Sequence, residues 1–274
     1  MRIRIRHTTT YGYELPARRV HQALRLTPRS HDSQHIMSWR VLVEPDARLR
    51  HDEDMLGNHL LRLCVEGPTQ SIRISVIGEA QTSDTHGILR GAAERFPPGL
   101  FLRDTPLTDA SAELRAFAHA VAGPGLKPLD LLHELMAAVH ARIVFDTDGT
   151  HAATTASEAF ALGKGVCQDL THVFIAACRA LEIPARYVSG YFVRNDGVVE
   201  QEAAHAWAEA HVPEVGWIGF DPANCICPTD AHVRVAVGLD YHGAAPIRGS
   251  RAGGGMESLD VALHVAQASR QTQS

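Results

Sequence analysis

The stretch Gly163-Lys164-Gly165-Val166-Cys167-Gln168-Asp169 leads directly into residues 170–181, a run that is apolar on nearly every side of a helix. Two glycines within three residues predict a tight loop whose backbone can approach its neighbours closely. Pro184 ends the helical pattern. A helix that is apolar nearly all round is typically buried inside a larger core. The segment therefore predicts a buried helix with Cys167 at its N-terminus.

Cys167 is the first candidate for a functional residue. A thiol at a helix N-terminus lies at the positive end of the helix dipole, which favours the thiolate. Most free cysteines are small buried hydrophobic residues, and Cys178, inside the apolar run, is interpreted as one of them. Cys167 differs because a glycine-rich loop precedes it and no apolar run covers it on that side. We therefore expect Cys167 to be a nucleophile and Cys178 to lie in the core.

His205 and Asp221 could complete a thiol-based site. Residues 205–212 and 216–221 have the pattern of strands, and the three residues between them predict a hairpin loop. In that register Asp221 lies opposite Trp207 and diagonal to His205 on the same face, about 7–8 Å away at the backbone. A register shift of one residue would separate the two side chains. The alternative is a half-exposed hairpin with an incidental histidine, since the chain contains 17.

These three residue types suit nucleophilic catalysis on a carbonyl. Cys167 would attack the carbonyl carbon, His205 would carry the proton, and Asp221 would fix the imidazole tautomer. The oxyanion that develops needs hydrogen-bond donors. The Cys167 backbone N–H is the natural first donor, and the sequence assigns no second one.

Composition and charge limit the classes of function. The 274 residues suggest one large or two modest domains, and a net charge of −5 does not favour nucleic acid or an acidic membrane as a partner. The N-terminus lacks the apolar segment of a secretory signal, and no stretch approaches the ~20 apolar residues that span a bilayer. Five cysteines form an odd, sparse set, which is typical of a reducing compartment. We therefore expect a cytoplasmic protein without disulfides.

Residues 1–104 are predicted to form an antiparallel β domain. Alternation over residues 2–7 and short apolar runs at 60–66 and 71–79 are typical of strands, and turn residues such as Gly67-Pro68 separate them. The spacing of short strands favours a sandwich or sheet. No group of residues in this half has the composition of a catalytic site, so we expect it to carry no catalytic group.

Residues 105–248 are predicted to form the catalytic core, after a linker near residues 96–106. Helical spacing covers residues 109–121 and 128–145. Thr155-Ala156-Ser157-Glu158 has the spacing of a capping box ahead of a third, short helix. Strands follow the central helix, so the fold class expected is α+β.

The end of the chain, residues 249–274, is predicted to contain three parts. A Gly-rich loop comes first, an alternating pattern at residues 256–266 predicts a last strand, and residues 267–274 form a polar tail that we expect to be disordered.

A metal-dependent site is the weaker alternative. Cys225-Ile226-Cys227 is C-x-C, without a second pair at zinc-finger spacing. His205 and His211 share a strand face but are too far apart to bind one ion directly. We therefore expect no metal and no other cofactor.

The motifs together resemble the bacterial transglutaminase-like superfamily. The segment around Cys167, the stretch His205-Ala206-Trp207 and the stretch Gly219-Phe220-Asp221-Pro222-Ala223-Asn224 are similar to its cysteine, histidine and aspartate motifs, in that order. Arg6-His7-Thr8-Thr9-Thr10-Tyr11 and Gly57-Asn58 are similar to the N-terminal β domain of its bacterial members. The resemblance spans nearly the whole chain.

The resemblance implies a papain-like α+β core, with the cysteine on a buried helix packed against an antiparallel sheet. It implies acyl transfer from an amide through a thioester to water or to an amine, with no cofactor and with a peptide or protein amide as substrate. We expect a peptidase or amide hydrolase. The alternatives are a protein-glutamine amine transferase and a binding module without turnover. Phe145 stands where the family suggests a tyrosine, and its phenyl ring cannot donate to an oxyanion.

Overall fold

The first sheet of the protein is built on two long antiparallel strands. The computed structural model describes residues 1–268 of the chain. The strands in its first part are β1 (Arg2–Leu24), β2 (Gln34–Glu44), β3 (Leu49–Glu53) and β4 (His59–Thr82). β4 pairs with β1 on one side and with β2 and β3 on the other. One face of the first half of β1 is buried, because Ile3, Ile5, His7 and Thr9 alternate with less buried residues and point into the core.

The turn predicted at Gly67-Pro68 is wrong. The two runs that it was expected to separate form one strand, β4, which passes through both residues. The ladder shifts register here, because Thr69 pairs with Ala17 but Glu66 pairs with Arg19. A proline lacks the N–H that a ladder needs, and an irregularity of this kind tolerates it. The domain therefore contains fewer, longer strands than the turn signals predicted.

The helices of the core pack around one buried helix. After a 3₁₀ turn (Pro98–Leu102), the elements are α1 (Ala112–Val121), α2 (Pro128–Arg142), β5 (Val144–Phe145), α3 (Ala156–Leu162), β6 (Lys164–Gly165) and α4 (Cys167–Ala180). Every residue of α4 from Asp169 to Arg179 is buried, as its apolar pattern predicted. The predicted capping box is present at the start of α3, where Thr155 and Glu158 exchange hydrogen bonds.

Helix α2 ends earlier than predicted. The pattern indicated a helix over residues 128–145, whereas α2 stops at Arg142 and β5 follows. The Val144 N–H donates to the Gly163 carbonyl, and the Asp146 N–H donates to the Gly165 carbonyl, both at 3.0 Å. Pairing with β6 therefore replaces the last helical turn, and it places β5 beside the loop that leads to Cys167.

A four-stranded antiparallel sheet covers α4. Its order is β10 (Gly216–Phe220), β9 (His205–Val212), β7 (Ala185–Phe192) and β11 (His232–Gly238), and the short β8 (Glu200–Gln201) lies in the first sheet. All residues of β7 are buried. The sheet therefore has one face on α4 and its other face covered by the β domain and its connections.

The end of the chain returns to the first sheet. A short helix, α5 (Tyr241–Ala244), leads to β12 (Ile247–Gly253) and β13 (Glu257–Gln267), which both pair with β1. β13 fits the alternation seen in the sequence, since Leu263 and Val265 are buried. Residues 269–274 of the predicted tail lie outside the described residues. Within residues 1–268 no helix combines the length and the apolar character needed to cross a bilayer.

Two side-chain amides join the β domain to the outer strand of the core sheet. The Gln34 amide donates to the Arg234 carbonyl at 2.9 Å and accepts from the Arg234 N–H at 2.8 Å. Asn58 exchanges the same pair of bonds with Val237, each at 2.8 Å. These amides satisfy backbone groups on the edge of β11 that faces away from β7.

Buried charges lie under this junction. Glu209 on β9 accepts from Arg186 at 2.7 Å and from Arg234 at 2.7 Å, and Arg186 also binds Glu94 through both terminal nitrogens. The guanidinium of Arg186 stacks 3.9 Å from the ring of Trp217. Burial raises the pKa of Glu209, but the two arginines outweigh it and lower the pKa to about 2. The network is therefore ionised and internally compensated.

Candidate active site

Cys167 is the first residue of α4, and the side chain of Asp169 fixes the loop that leads to it. The buried Oδ2 of Asp169 accepts from the Val166 N–H at 2.8 Å and from the Thr150 hydroxyl at 2.6 Å. A Cβ at position 165 would lie 2.6 Å from the same oxygen. Gly165 therefore makes the close approach that the sequence predicted for this loop.

The first turn of α4 offers a backbone donor beside the thiol. The first N–H groups of a helix have no acceptor within the helix, and that of Cys167 is among them. The Cys167 carbonyl is already bound by the Thr171 hydroxyl at 2.7 Å. Because this end of the helix is the positive end of its dipole, it favours negative charge on the sulfur and on a nearby substrate oxygen.

The β9–β10 hairpin has the predicted register. Its ladder ends with Phe220 opposite Ala208, so the next residue, Asp221, stands at the level of Trp207. The loop between the strands contains three residues, as expected. Asp221 then exchanges two backbone hydrogen bonds with Ile226, at 2.8 and 3.2 Å. These bonds fix the backbone of the loop that follows the strand.

His205 and Asp221 form a buried hydrogen-bonded pair. Nε2 of His205 lies 2.6 Å from Oδ2 of Asp221, whose side chain has no exposed surface. The same oxygen accepts from the Asn224 side-chain amide at 2.7 Å, and Oδ1 accepts from the N–H groups of Ala223 and Asn224. Burial raises the pKa of Asp221, but the charge and hydrogen bond of His205 outweigh it and hold the pKa well below its usual range.

His205 joins this carboxylate to the thiol. Because Nε2 faces Asp221, Nδ1 is the nitrogen left for Cys167, whose proximity is one of the causes that raise the pKa of His205. Burial lowers the pKa of His205, whereas the Asp221 charge, the Asp221 hydrogen bond and the Cys167 contact raise it to about 10. The geometry therefore favours an imidazolium beside the sulfur at neutral pH. The structure brings together the three residues that the sequence singled out.

Two further residues of the cluster were missed in the sequence. His232, the first residue of β11, has its Nε2 3.3 Å from the same oxygen of Asp221, and Asn224 contacts that oxygen from the loop. Nothing in its local pattern separates His232 from the other histidines. Its position at the start of a predicted strand of the core was the one available signal.

The atoms of His205, Asp221 and His232 could also hold a metal ion, since one ligand atom from each lies within 4.8 Å of the others. In the structure both imidazoles are hydrogen-bonded to the carboxylate, so an ion would have to replace both contacts. Cys227 adds no ready ligand, because burial and the nearby Asp84 raise its pKa to about 11. The three side chains therefore satisfy one another as a hydrogen-bonded cluster.

The remaining cysteines have different surroundings. Cys178 is fully buried in the core, and burial raises the pKa of its thiol far above the ordinary value. Cys64 and Cys225 are half-buried. Phe145 is 56% exposed at the edge of β5, and its phenyl ring offers no donor to an oxyanion. Cys167 is therefore the cysteine whose proximity raises the pKa of His205.

Comparisons with known proteins agree with this geometry. The family model described as the transglutaminase-like superfamily matches residues 115–222, and the bacterial transglutaminase-like N-terminal region matches residues 3–81. An uncharacterised protein of Mycobacterium leprae is 30% identical over 282 residues, which cover 96% of this chain and 98% of that protein.

Two other similarities are partial or concern the fold alone. A protein-glutamine gamma-glutamyltransferase of Pseudomonas aeruginosa is 35% identical over 83 residues, 28% of this chain and 12% of the relative. The crystal structure of a candidate cysteine protease from Cytophaga hutchinsonii has a TM-score of 0.80 at 22% identity, covering 100% of this chain and 92% of that one. With the two family matches and the full-length relative, these findings show that the chain belongs to the transglutaminase-like superfamily and carries the bacterial transglutaminase-like N-terminal region.

Proposed function

We propose that the protein is a cysteine-dependent acyl-transfer enzyme that cleaves an amide bond of a peptide or protein through a thioester on Cys167. The observation that carries the proposal is the line of contacts from Cys167 to His205 to Asp221, with 2.6 Å between the last two. A module that only binds has no physical need for a thiol, an imidazolium and a buried carboxylate in contact.

The steps follow from the positions of these groups. The Cys167 sulfur attacks the amide carbon, and the Cys167 N–H at the start of α4 stabilises the oxyanion. The C–N bond then breaks as His205 gives its proton to the leaving amine, which leaves a thioester. His205 next takes a proton from water, which attacks the thioester and releases the acid. Asp221 keeps the imidazole oriented through both steps.

Water is the acyl acceptor that we favour over an amine. A cross-linking enzyme must bind a second substrate and shield the thioester, which calls for free aromatic or apolar walls. The large aromatic side chains near the motifs are used in packing, with exposures of 2–6%. They are Tyr187, Tyr191, Trp207 and Trp217. The partial similarity to a gamma-glutamyltransferase supports transfer to an amine instead. The competition assay described below distinguishes the two acceptors.

A groove borders the loop that binds the first turn of α4, and we propose it as a path for substrate. The loop between β5 and α3 is tied to the first turn of α4, because Thr150 binds Asp169 and the Gln168 amide donates to the Ala152 carbonyl at 3.3 Å. That loop and the end of α3 border a groove of about 470 Å³. The lining residues are Gly149, His151, Thr154, Glu158, Ala161 and Leu162.

The test is a competition between water and a labelled primary amine on a glutamine-containing peptide. We expect release of the free acid, an acyl group trapped on Cys167 by mass spectrometry, and little incorporation of the label. Dominant labelling at low amine concentration would reverse the choice of acceptor. His205→Ala should abolish turnover while circular dichroism stays unchanged, with Cys167→Ser as the matched control. Inhibition by EDTA that zinc reverses would contradict the metal-free mechanism.

A further inference from the structure

His232 is a buried histidine that the proposed reaction does not yet use. Its Nδ1 accepts a hydrogen bond from the Thr229 backbone N–H at 3.1 Å. Since a nitrogen that accepts carries no proton, the proton of the neutral ring is on Nε2. That nitrogen lies 3.3 Å from Oδ2 of Asp221 and therefore donates to it. The surrounding backbone thus selects the tautomer of His232.

The two histidines on Asp221 differ in charge. The pKa of His205 is raised to about 10, whereas burial lowers the pKa of His232 despite its contact with Asp221. A second imidazolium would compete for the charge of the carboxylate. A neutral donor satisfies a lone pair of Oδ2 and leaves the negative charge available to His205. His232 therefore orients Asp221 without neutralising it.

Packing fixes the His232 ring in this position. The ring of Phe192 lies 4.5 Å from that of His232, and the ring of Trp207 meets it edge-on at 5.3 Å. His232 is 5% exposed. The strand that carries it is held from outside by the amide of Gln34, which binds the backbone of Arg234. The β domain thus supports the strand of the donor to Asp221 from the outer edge of the sheet.

We propose that His232 is a positioning residue, whose Nε2–H holds the Asp221 carboxylate in the orientation that aligns His205 with Cys167. The inference rests on the proposed function, because it assigns a role within that reaction. It extends the site to β11 and makes the alignment of the nucleophile depend on the strand clamped by the β domain.

Two substitutions separate the donor from the rest of the imidazole. His232→Gln can place an amide nitrogen where Nε2 stands, so it can still donate to Asp221. His232→Asn can keep an acceptor for the Thr229 N–H, but its amide does not reach Asp221. We expect kcat of the Gln variant to stay within about threefold of wild type. The Asn variant should lose roughly 10- to 100-fold in kcat with KM unchanged, the size expected for a hydrogen bond to a charged acceptor.

If His232 served only to hold the fold through its bond to Thr229, the Asn variant would keep that bond and would lose no more activity than the Gln variant. Equal kcat in the two variants, or a larger loss in the Gln variant, would overturn the positioning role. Thermal unfolding of both variants shows whether the fold is retained.

Two measurements need no substrate. The rate of iodoacetamide alkylation of Cys167 at pH 6 should fall in the Asn variant and not in the Gln variant. If the wild type cleaves no amide but this difference persists, the proposed function fails and the positioning role stands. Nitrogen NMR of the wild-type protein should find His232 neutral with its proton on Nε2. A proton on Nδ1, or a charged ring, would refute the inference even if a variant did not fold.

Discussion

Replacing Asp221 by asparagine removes the charge that holds the imidazolium, and it changes the shape of the side chain very little. The shift of the His205 pKa from 6.5 to about 10 corresponds to about 5 kcal/mol of preferential stabilisation of the imidazolium, and the Asp221 charge is its largest favourable source. Oδ1 and Oδ2 of Asp221 both accept hydrogen bonds. In either orientation, the NH₂ group of an asparagine would therefore face another donor. We therefore expect Asp221→Asn to lose the imidazolium beside Cys167.

The size of the effect follows from thiol ionisation. An ordinary cysteine thiol without a neighbouring cation is ionised in about one molecule in 300 at pH 6, since the reference pKa is about 8.5. Alkylation of Cys167 by iodoacetamide at pH 6 should therefore slow in the variant, by at most ~300-fold. The difference should shrink toward pH 10, where an ordinary thiol is ionised.

The assay measures second-order alkylation rates from pH 5 to 10, with the adduct mapped to Cys167 by mass spectrometry. Cys167→Ser is the control for background reaction, and near-ultraviolet circular dichroism checks that the buried site keeps its packing. An Asp221→Asn protein that folds and alkylates at the wild-type rate at pH 6 would refute the reasoning. Turnover should fall less in this variant than in His205→Ala, because the imidazole is still present.

Three other outcomes follow from the same structure. Turnover should fall as the pH rises through about 10, where His205 loses the proton that the leaving amine requires; a limb near pH 7 in the pH–rate profile would contradict the ion pair. Cys167 should be alkylated before every other cysteine and Cys178 last, because burial raises the pKa of the Cys178 thiol; peptide mapping after brief labelling tests this order. Glu209→Gln should lower the free energy of unfolding by about 3 kcal/mol, because buried Arg186 and half-buried Arg234 lose their shared carboxylate. Since the folded pKa of Glu209 is lowered from 4.5 to about 2, its contribution is complete above pH 4.5 and disappears as the pH falls toward 2; urea unfolding at pH 7 and pH 2 shows whether the two proteins converge in acid.

Local rules in the sequence predicted the parts of the site that depend on neighbours in the chain. The glycines before Cys167 indicated the loop, and the three-residue connection fixed the register that places Asp221 beside His205. The capping box at Thr155 was confirmed for the same reason, since its four residues contain the whole interaction.

Features that depend on distant residues were not predictable in this way. The turn expected at Gly67-Pro68 failed because pairing with β1 carries the strand through it. The end of α2 was misplaced because Val144 pairs with a strand that follows 20 residues later in the chain. His232 was missed because β11 lies next to β7 and not next to the hairpin, so only the folded sheet brings its ring to Asp221.

The side-chain amides of Gln34 and Asn58 cover the outer edge of the core sheet by binding the backbone of β11. An open strand edge is a template for pairing with another chain, and proteins usually blunt it with charge, proline or a bulge. Here the groups that cover the edge, the two amides, belong to the N-terminal β domain. A fragment beginning near residue 105 would expose the backbone of Arg234 and Val237 to any extended segment, including the same strand in a second copy. Separating the two halves would therefore leave an uncovered strand edge on the core, which favours aggregation.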